Sequence, residues 1–382
     1  GATLSGTVNL HIGVAKTGTT YLQRLLYRNR QLLQDNGVLF PGNRRSSHFL
    51  ASMDLRETGF KGHRYPGADG AWGAVVAEAE EFAGDTVISH ETLARSSSET
   101  IERAVGSFQR SKVRVVVTCR DLGRQIPAVW QEGVKNRKSV GYDDFMSDIF
   151  VKWDAGSPGR GRFWTPQDLT ALTHRWSAVV GAENLVIVTV PPSGGDRREL
   201  WRRFARATDL PDLGYDFDLH SHNASLGVPQ SELLRRLNEV LPEDLEWPQY
   251  EARIKRRFAE YVLAPLEGDR LVVPESRRRD VVRISGQMIE SLGAGGYTVV
   301  GDLEDLRPVF PDEPSRKPGE VPTHELLTLA LRVLGQYAAQ PLPRRGGSSP
   351  VVSTRELAKA VARSARQRLG ARLHRAHLSD SS

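Results

Sequence analysis

Cysteine is almost absent from this sequence of 382 residues, and no hydrophobic run reaches the ~20 residues that a membrane-spanning helix needs. The single cysteine, Cys119, excludes an intramolecular disulfide bond, and the chain has no CxxC pair of the kind that holds zinc. Residues 1–10 have neither the basic start nor the long apolar stretch of a signal peptide. We therefore expect a cytoplasmic protein without a transmembrane span.

Excess charge is also scarce, except at the C-terminal end. The formal net charge is +6, but residues 340–382 carry nine lysine and arginine side chains against two acidic ones. That segment alone has a net charge of +7, which leaves the rest of the chain at −1. A nearly neutral body gives no electrostatic basis for binding nucleic acid, so we expect no nucleic-acid partner.

The pattern of apolar residues is typical of an α/β protein. Short β-rich runs alternate with longer helical patterns in the first half, which predicts a mostly parallel central sheet covered by helices on both faces. Helical patterns dominate after about residue 199, so we expect a helical C-terminal half. Strands are predicted at 8–14, 38–40, 86–89, 113–119, 185–190 and 298–300, and helices at 19–35, 72–82, 98–108, 122–138, 167–180, 232–241, 250–262 and 277–292.

Composition divides the chain into three parts. We expect an α/β domain over residues 1–310, then a linker region rich in proline, arginine and glycine with one helix over 311–353. Residues 354–382 form a basic tail with an apolar stripe at helical spacing, which fits an interfacial helix, a partner-docking helix or a solvated tail. A peripheral membrane contact through this tail is one expectation.

An anion-binding loop is predicted where the first strand meets the first helix. Gly13 and Gly18 allow backbone N–H groups to turn inward, and the start of a helix adds a partial positive charge. Lys16 supplies a full charge, and hydroxyl donors follow at Thr17, Thr19 and Thr20. The order differs from the GxxxxGK[ST] phosphate loop because Lys16 precedes Gly18 by two residues. The stretch indicates a phosphate or sulfate site.

A second cationic motif follows the strand at 113–119. Arg120, Asp121 and Arg124 come directly after it, and the carboxyl end of a parallel strand is where such sheets bind ligands. An arginine at this place is suited to hold a phosphate through two parallel hydrogen bonds.

These two motifs, Lys16-Thr17-Gly18-Thr19-Thr20 and Arg120-Asp121, resemble those of sulfotransferases that use PAPS (3′-phosphoadenosine 5′-phosphosulfate), in particular the actinobacterial, hence bacterial, branch. The resemblance implies a P-loop-like three-layer sandwich, PAPS as the co-substrate at the 16–20 loop, and Arg120 on the 3′-phosphate. The family's serine eight residues later is Ala128 here, so Arg124 or Gln131 is the expected replacement ligand.

The predicted strand at 86–89 leads into a candidate general base. Sulfuryl transfer requires the acceptor hydroxyl to lose a proton and the departing oxygen to be neutralised, and Lys16 suits the second task. Ser89-His90 is similar to the Thr-His pair of cytosolic sulfotransferases, which implies His90 as the base. Other sulfotransferases use a glutamate, so Glu91 is the alternative base or the group that orients His90.

Other functions and several acceptors remain open. A P-loop kinase or NTPase would use ATP and Mg²⁺, with Asp121 and either Thr17 or Thr19 as metal ligands, and a nucleotide-binding module would bind without turnover. For the sulfotransferase we expect no bound metal and an acceptor that is a glycan, a lipid or a small metabolite. Aromatic residues in 40–72 and 141–164 line the acceptor pocket or belong to the core.

Overall fold

A parallel sheet of six strands forms the centre of the protein. The computed structural model describes residues 6–59, 65–156, 160–196, 198–219, 225–312 and 315–339. The strands are β1 (Gly6–His11), β2 (Val38–Leu39), β3 (Asp85–Ser89), β4 (Ser111–Cys119), β5 (Leu185–Thr189) and β6 (Thr298–Val300). Their order is β2-β3-β1-β4-β5-β6, and every neighbouring pair is parallel. The predicted α/β class and each predicted strand are confirmed.

Helices connect the strands and make up most of the second half. The α-helices are α1 (Thr19–Arg28), α2 (Arg30–Asp35), α3 (Ser47–Leu55), α4 (Ala71–Glu81), α5 (Ser98–Gly106), α6 (Leu122–Lys135), α7 (Tyr142–Asp154), α8 (Gly161–Gln167), α9 (Leu169–Val180), α10 (Glu199–Ala207), α11 (Val228–Val240), α12 (Trp247–Tyr250), α13 (Glu275–Ala294) and α14 (Thr323–Ala338). A π-helix covers Glu251–Leu263, and short 3₁₀ helices lie at Glu91–Arg95, Ala182–Asn184, Leu303–Leu306 and Pro318–Glu320.

Alternating strand residues divide the core between the two faces of the sheet. In β4, Val115 and Val117 belong to the larger buried cluster, whereas Val116 belongs to the smaller one. Leucines of α1 and the aromatic residues of α10 complete the smaller cluster. Residues from α3 to α9, from α11, from α13 and from α14 contribute to the larger one. This is the three-layer arrangement that a parallel sheet needs to bury both faces.

The topology creates a crevice between β1 and β4. The chain leaves β1 toward β2 on one side of the sheet, whereas it leaves β4 toward β5 on the other. Open parallel sheets bind ligands at such switch points, beyond the carboxyl ends of the strands. Backbone hydrogen bonds continue past β1, because the Val14 N–H donates to the Thr118 carbonyl at 2.7 Å. The 16–20 loop and Arg120 therefore follow two paired strands.

The first predicted helix is wrong in one respect, because it breaks at Asn29. The Asn29 amide donates to the Leu25 carbonyl at 2.9 Å and to the Asp216 carbonyl at 3.0 Å, and its oxygen accepts from the Asp216 N–H at 2.8 Å. These bonds attach the helix end to a distant segment and separate α1 from α2. Helices α3, α7, α8 and α10 were not predicted.

The helix expected between residues 311 and 353 is α14, and it packs on the main body. Leu326, Leu329 and Val333 belong to the larger cluster, and Arg316 pairs with Glu325 at 2.5 Å. The expected tail over 354–382 lies outside the described residues, as does the second half of the linker. Within the described ranges, no helix is long and apolar enough to cross a membrane.

Candidate functional site

The loop between β1 and α1 has three residues in the left-handed region, Gly13, Lys16 and Gly18, with φ of 95°, 67° and 82°. A Cβ on Gly13 would lie 2.9 Å from the Cα of Glu91, and one on Gly18 would lie 2.4 Å from Cδ2 of Leu200. Gly18 is also the N-cap of α1, and no side chain caps that helix. The first N–H groups of α1 therefore have no side-chain cap, which leaves them available to bind an anion.

The hydroxyl of Thr17 lies inside the loop, which corrects our expectation that it faces the anion. It donates to the Val14 carbonyl at 2.5 Å and bonds with the Thr118 hydroxyl at 2.7 Å. Buried His11 continues this network, since its ring contacts Thr118 at 2.9 Å and Ser89 at 2.7 Å, and burial lowers its pKa to about 4. The chain therefore uses Thr17 and His11 to attach the loop to β3 and β4.

Lys16 lines a cavity of about 1110 Å³, which we call the lysine cavity. Gly18, Thr19 and Thr20 border it, and so do Glu91 and residues of the π-helix. Among the residues that the structure describes, those in 40–59, 65–72, 141–156 and 160–164 do not line this cavity. Tyr142, Trp153 and Trp164 in the second stretch are buried in the core, as the alternative interpretation of those aromatics predicts.

A carboxylate with three lysine neighbours lies beside the loop. Glu132 on α6 contacts the ammonium groups of Lys16 at 2.5 Å, Lys255 at 2.8 Å and Lys135 at 3.4 Å. Burial alone would raise the pKa of Glu132, but the three cations hold it well below its usual range. Sequence reasoning missed Lys135, Lys255 and the role of Glu132, because only the folded chain brings the π-helix over α6.

Glu91 and His90 occupy different surroundings at the end of β3. Glu91 lines the lysine cavity and accepts a hydrogen bond from Gln23 at 3.1 Å. His90 is buried, and its Nδ1 bonds with the Thr92 hydroxyl at 2.8 Å, while its Nε2 lies 3.9 Å from the Glu91 carboxylate. Burial lowers the pKa of His90. Burial alone would raise the pKa of Glu91, but the neighbouring imidazole of His90 and the amide of Gln23 hold it below its usual value.

Arg120 lines a second cavity of about 950 Å³, the arginine cavity. Its Nε donates to the Gln125 amide oxygen at 2.8 Å, and the Gln125 amide nitrogen donates to the Ala15 carbonyl at 2.9 Å. Gln125 therefore ties the cation at the end of β4 to the loop that carries Lys16. Burial lowers the pKa of Arg120 to about 10, and Arg124 adds to this shift.

Arg124 and Gln131, our expected replacements for the missing serine, already have partners. Arg124 forms an ion pair with Asp121, and Gln131 donates to the Leu226 carbonyl at 2.6 Å. Ala128 lines the arginine cavity, as the serine of the resemblance would. Arg270 and Ser225 lie on the same cavity wall, and Arg270 is exposed there. Neither was predicted as a ligand, because both lie in loops between helices of the C-terminal half rather than at the end of a strand.

The geometry around Asp121 does not favour the kinase or NTPase alternative. The Asp121 carboxylate caps α6 by accepting from the Arg124 N–H at 3.1 Å, and it pairs with the Arg124 guanidinium. Both carboxylate oxygens of Asp121 thus contact Arg124, which places a cation where the kinase alternative requires Mg²⁺. Of the two threonines considered as the second metal ligand, Thr17 and Thr19, the hydroxyl of Thr17 bonds with Thr118 on β4.

No family model matches this chain, and no curated protein matches it. Among solved structures, the chain is similar to the crystal structure of a sulfotransferase from Alicyclobacillus acidocaldarius, with 15% identity and a TM-score of 0.38. The match covers 64% of this chain and 94% of the other. A likeness at this level leaves the function to be argued from the site.

Proposed function

We propose that this protein is a sulfotransferase that moves a sulfuryl group from PAPS to a hydroxyl of an acceptor. The observation that carries the proposal is the link through Gln125, which joins the Lys16 loop to Arg120 across the β1–β4 crevice. Each cavity has one cationic site, and the two cavities adjoin, because Leu266 lies in the wall of both. This arrangement matches a nucleotide that carries anionic groups at both its 5′ and its 3′ position. PAPS has such groups, and ATP lacks the second.

The donor would lie across the crevice. Lys16, Gly18, Thr19 and Thr20, together with the N–H groups of the first turn of α1, bind the 5′-phosphosulfate. Arg120 binds the 3′-phosphate at the other end, where Arg270 and Ser225 replace the missing family serine. Arg124 contributes indirectly to this site, because its ion pair with Asp121 fixes the position of that carboxylate. The roles of the residues predicted from the sequence rest on the resemblance. The roles of Arg270 and Ser225 rest on their position in the wall of the arginine cavity.

Glu91 is the better placed of the two candidate bases. It lines the lysine cavity and, because its pKa is low, it is ionised at neutral pH, whereas His90 bonds away from the cavity. In the transfer step the acceptor proton moves to Glu91 as the acceptor oxygen bonds to sulfur. The bond from sulfur to the bridging oxygen breaks, and Lys16 neutralises the charge that this oxygen gains.

Slow hydrolysis of PAPS tests this assignment without a known acceptor, because water replaces the acceptor hydroxyl. Lys16→Ala should reduce the rate of 3′,5′-adenosine bisphosphate release at least about a hundredfold. Lys112→Ala is the matched control, since Lys112 is exposed at the opposite end of β4 and should keep the wild-type rate. Equal rates in the Lys16 variant and the wild type would refute the role of Lys16.

A further inference from the structure

An exposed apolar stripe lies on α14, on the side away from the core. Leu327, Leu331 and Leu334 have 59%, 60% and 54% of their surface exposed, and Tyr337 has 38%. Their spacing of three and four residues places them along one side of the helix. Leu326, Leu329 and Val333 on the other side are buried. An apolar stripe that none of the described residues covers indicates a contact with another apolar phase or partner.

Arginines of the π-helix border this stripe. Arg253 and Arg257 are four residues apart and exposed, and the Arg257 guanidinium lies 5.0 Å from the ring centre of Tyr337. Tyr261, four residues further along, is 69% exposed. Arg256 is also exposed, although it pairs with Glu251 at 3.0 Å. Leucine beside tyrosine and arginine is the composition of surfaces that lie at the boundary between water and lipid headgroups.

The chain continues from this stripe into its most basic part. Residues 340–382, which follow α14 directly, carry the net charge of +7. Near an anionic bilayer each lysine or arginine contributes about 1 kcal/mol of attraction. A second protein copy would bring the same positive charges together, so charge complementarity favours an anionic lipid surface over self-association.

We infer that the stripe on α14 and the arginine side of the π-helix, together the stripe surface, dock on an anionic lipid bilayer. Both elements also contribute to the lysine cavity, through Gln336 on α14 and through Arg256 and Tyr261 on the π-helix. Docking brings the wall of that cavity to the lipid surface. If the proposed function holds, the acceptor hydroxyl belongs to a membrane-borne amphiphile rather than to a free metabolite.

Co-sedimentation of the full chain with vesicles tests the stripe surface independently of catalysis. Wild-type protein should bind phosphatidylglycerol vesicles and not pure phosphatidylcholine vesicles, and binding should weaken as salt is raised. The combined variant Leu327→Gln, Leu331→Gln, Leu334→Gln should bind phosphatidylglycerol vesicles at least about tenfold more weakly. Glutamine keeps helix propensity, so the melting temperature should stay unchanged.

The matched control replaces three exposed valines on other helices, Val151, Val240 and Val282, by glutamine. This control should bind vesicles like the wild type. Wild-type binding by the leucine variant would assign the contact to residues 340–382 alone and overturn the inference, as would a wild type that ignores vesicles. A wild-type dimer that the leucine variant converts to a monomer would also overturn it. Titration of each variant with 3′,5′-adenosine bisphosphate reports on the proposed function separately.

Discussion

At the scale of single residues, the proposed donor and Glu132 would compete for the ammonium group of Lys16. Lys16 can leave Glu132 without leaving this half-buried carboxylate unpaired, because Lys255 and Lys135 remain within 2.8 Å and 3.4 Å of it. A buried charge that keeps two partners does not incur the desolvation penalty of an unpaired one. In the proposed function, the other two lysines would therefore let Lys16 move from the carboxylate to the phosphosulfate.

This competition predicts opposite effects of two substitutions on binding of 3′,5′-adenosine bisphosphate. Glu132→Gln releases Lys16 and should raise the affinity by about fivefold, the equivalent of ~1 kcal/mol for a partly exposed pair. Lys255→Ala removes one of the other partners of Glu132, so Lys16 is held more firmly and the affinity should fall. Calorimetric titration measures both. A weaker complex with Glu132→Gln would mean that Glu132 positions Lys16 for the ligand rather than competing with it.

The assignment of Glu91 as the base predicts a specific pH profile. The pKa of Glu91 is held below its ordinary value by His90 and Gln23 against the effect of burial, so the carboxylate is ionised at neutral pH, and PAPS hydrolysis should decline only as the pH falls through that lowered pKa. Glu91→Gln should slow hydrolysis by about a hundredfold or more over the whole range. His90→Asn should have a smaller effect. A larger loss in the His90 variant than in the Glu91 variant would restore His90 as the base.

Sequence reasoning located the residues that directly follow the strands better than it located the partners of their side chains. Lys16, Gly18, Arg120 and Glu91 could be identified because glycines and charges directly after buried strands lie at the ligand-binding edge of a parallel sheet. The inward direction of the Thr17 hydroxyl depends on Thr118 in a different strand, so no local pattern reveals it.

At the scale of elements, the turn into α1 depends on glycine for two separate reasons. Gly18 at the start of α1 has φ of 82°, and Gly70 at the start of α4 has φ of 77°, so both need the left-handed conformation. Only Gly18 also meets a neighbour, because its Cβ would lie 2.4 Å from Leu200, whereas nothing lies within 4 Å of a Cβ on Gly70. A substitution of Gly70 therefore tests backbone strain alone, whereas a substitution of Gly18 tests backbone strain together with a close contact.

We expect Gly70→Ala to lower the free energy of unfolding by about 1 kcal/mol and to leave nucleotide binding unchanged. Gly18→Ala should lower it further and should also weaken binding of 3′,5′-adenosine bisphosphate, because either the loop or the buried Leu200 side chain beside it has to shift. Urea unfolding and calorimetric titration of both variants measure the two effects. Equal stability loss and unchanged binding in both variants would contradict the close contact.

The elements that sequence patterns failed to predict are those set by distant contacts. Asn29 breaks the first helix because it bonds with Asp216, far along the chain. A helical pattern at 250–262 was recognised, but periodicity cannot reveal the π-helical hydrogen bonding of Glu251–Leu263. This helix lines the lysine cavity, and π-helical segments often occur at functional sites.

At the scale of the whole molecule, the sheet order brings both anion motifs to the β1–β4 crevice, while the helical half closes it from outside. Val228 N–H donates to the Asp269 carbonyl at 2.8 Å, which pairs the segment before α11 with the one that carries Arg270. Gly227 and Gly268 allow this pairing, since a Cβ on Gly227 would lie 2.8 Å from the Cα of Gly268. The positions of the strands follow from the sequence pattern, whereas their order in the sheet and this closure do not.

Binding of 3′,5′-adenosine bisphosphate in EDTA tests the central claim most directly, with ATP and Mg²⁺ in a parallel titration. The account predicts metal-independent binding of the bisphosphate. It also predicts that Arg120→Ala weakens that binding about tenfold or more while leaving the affinity for 5′-ADP, which has no 3′-phosphate, unchanged. Binding of ATP only with Mg²⁺, and no binding of the bisphosphate, would contradict the account and assign the crevice to a kinase or an NTPase.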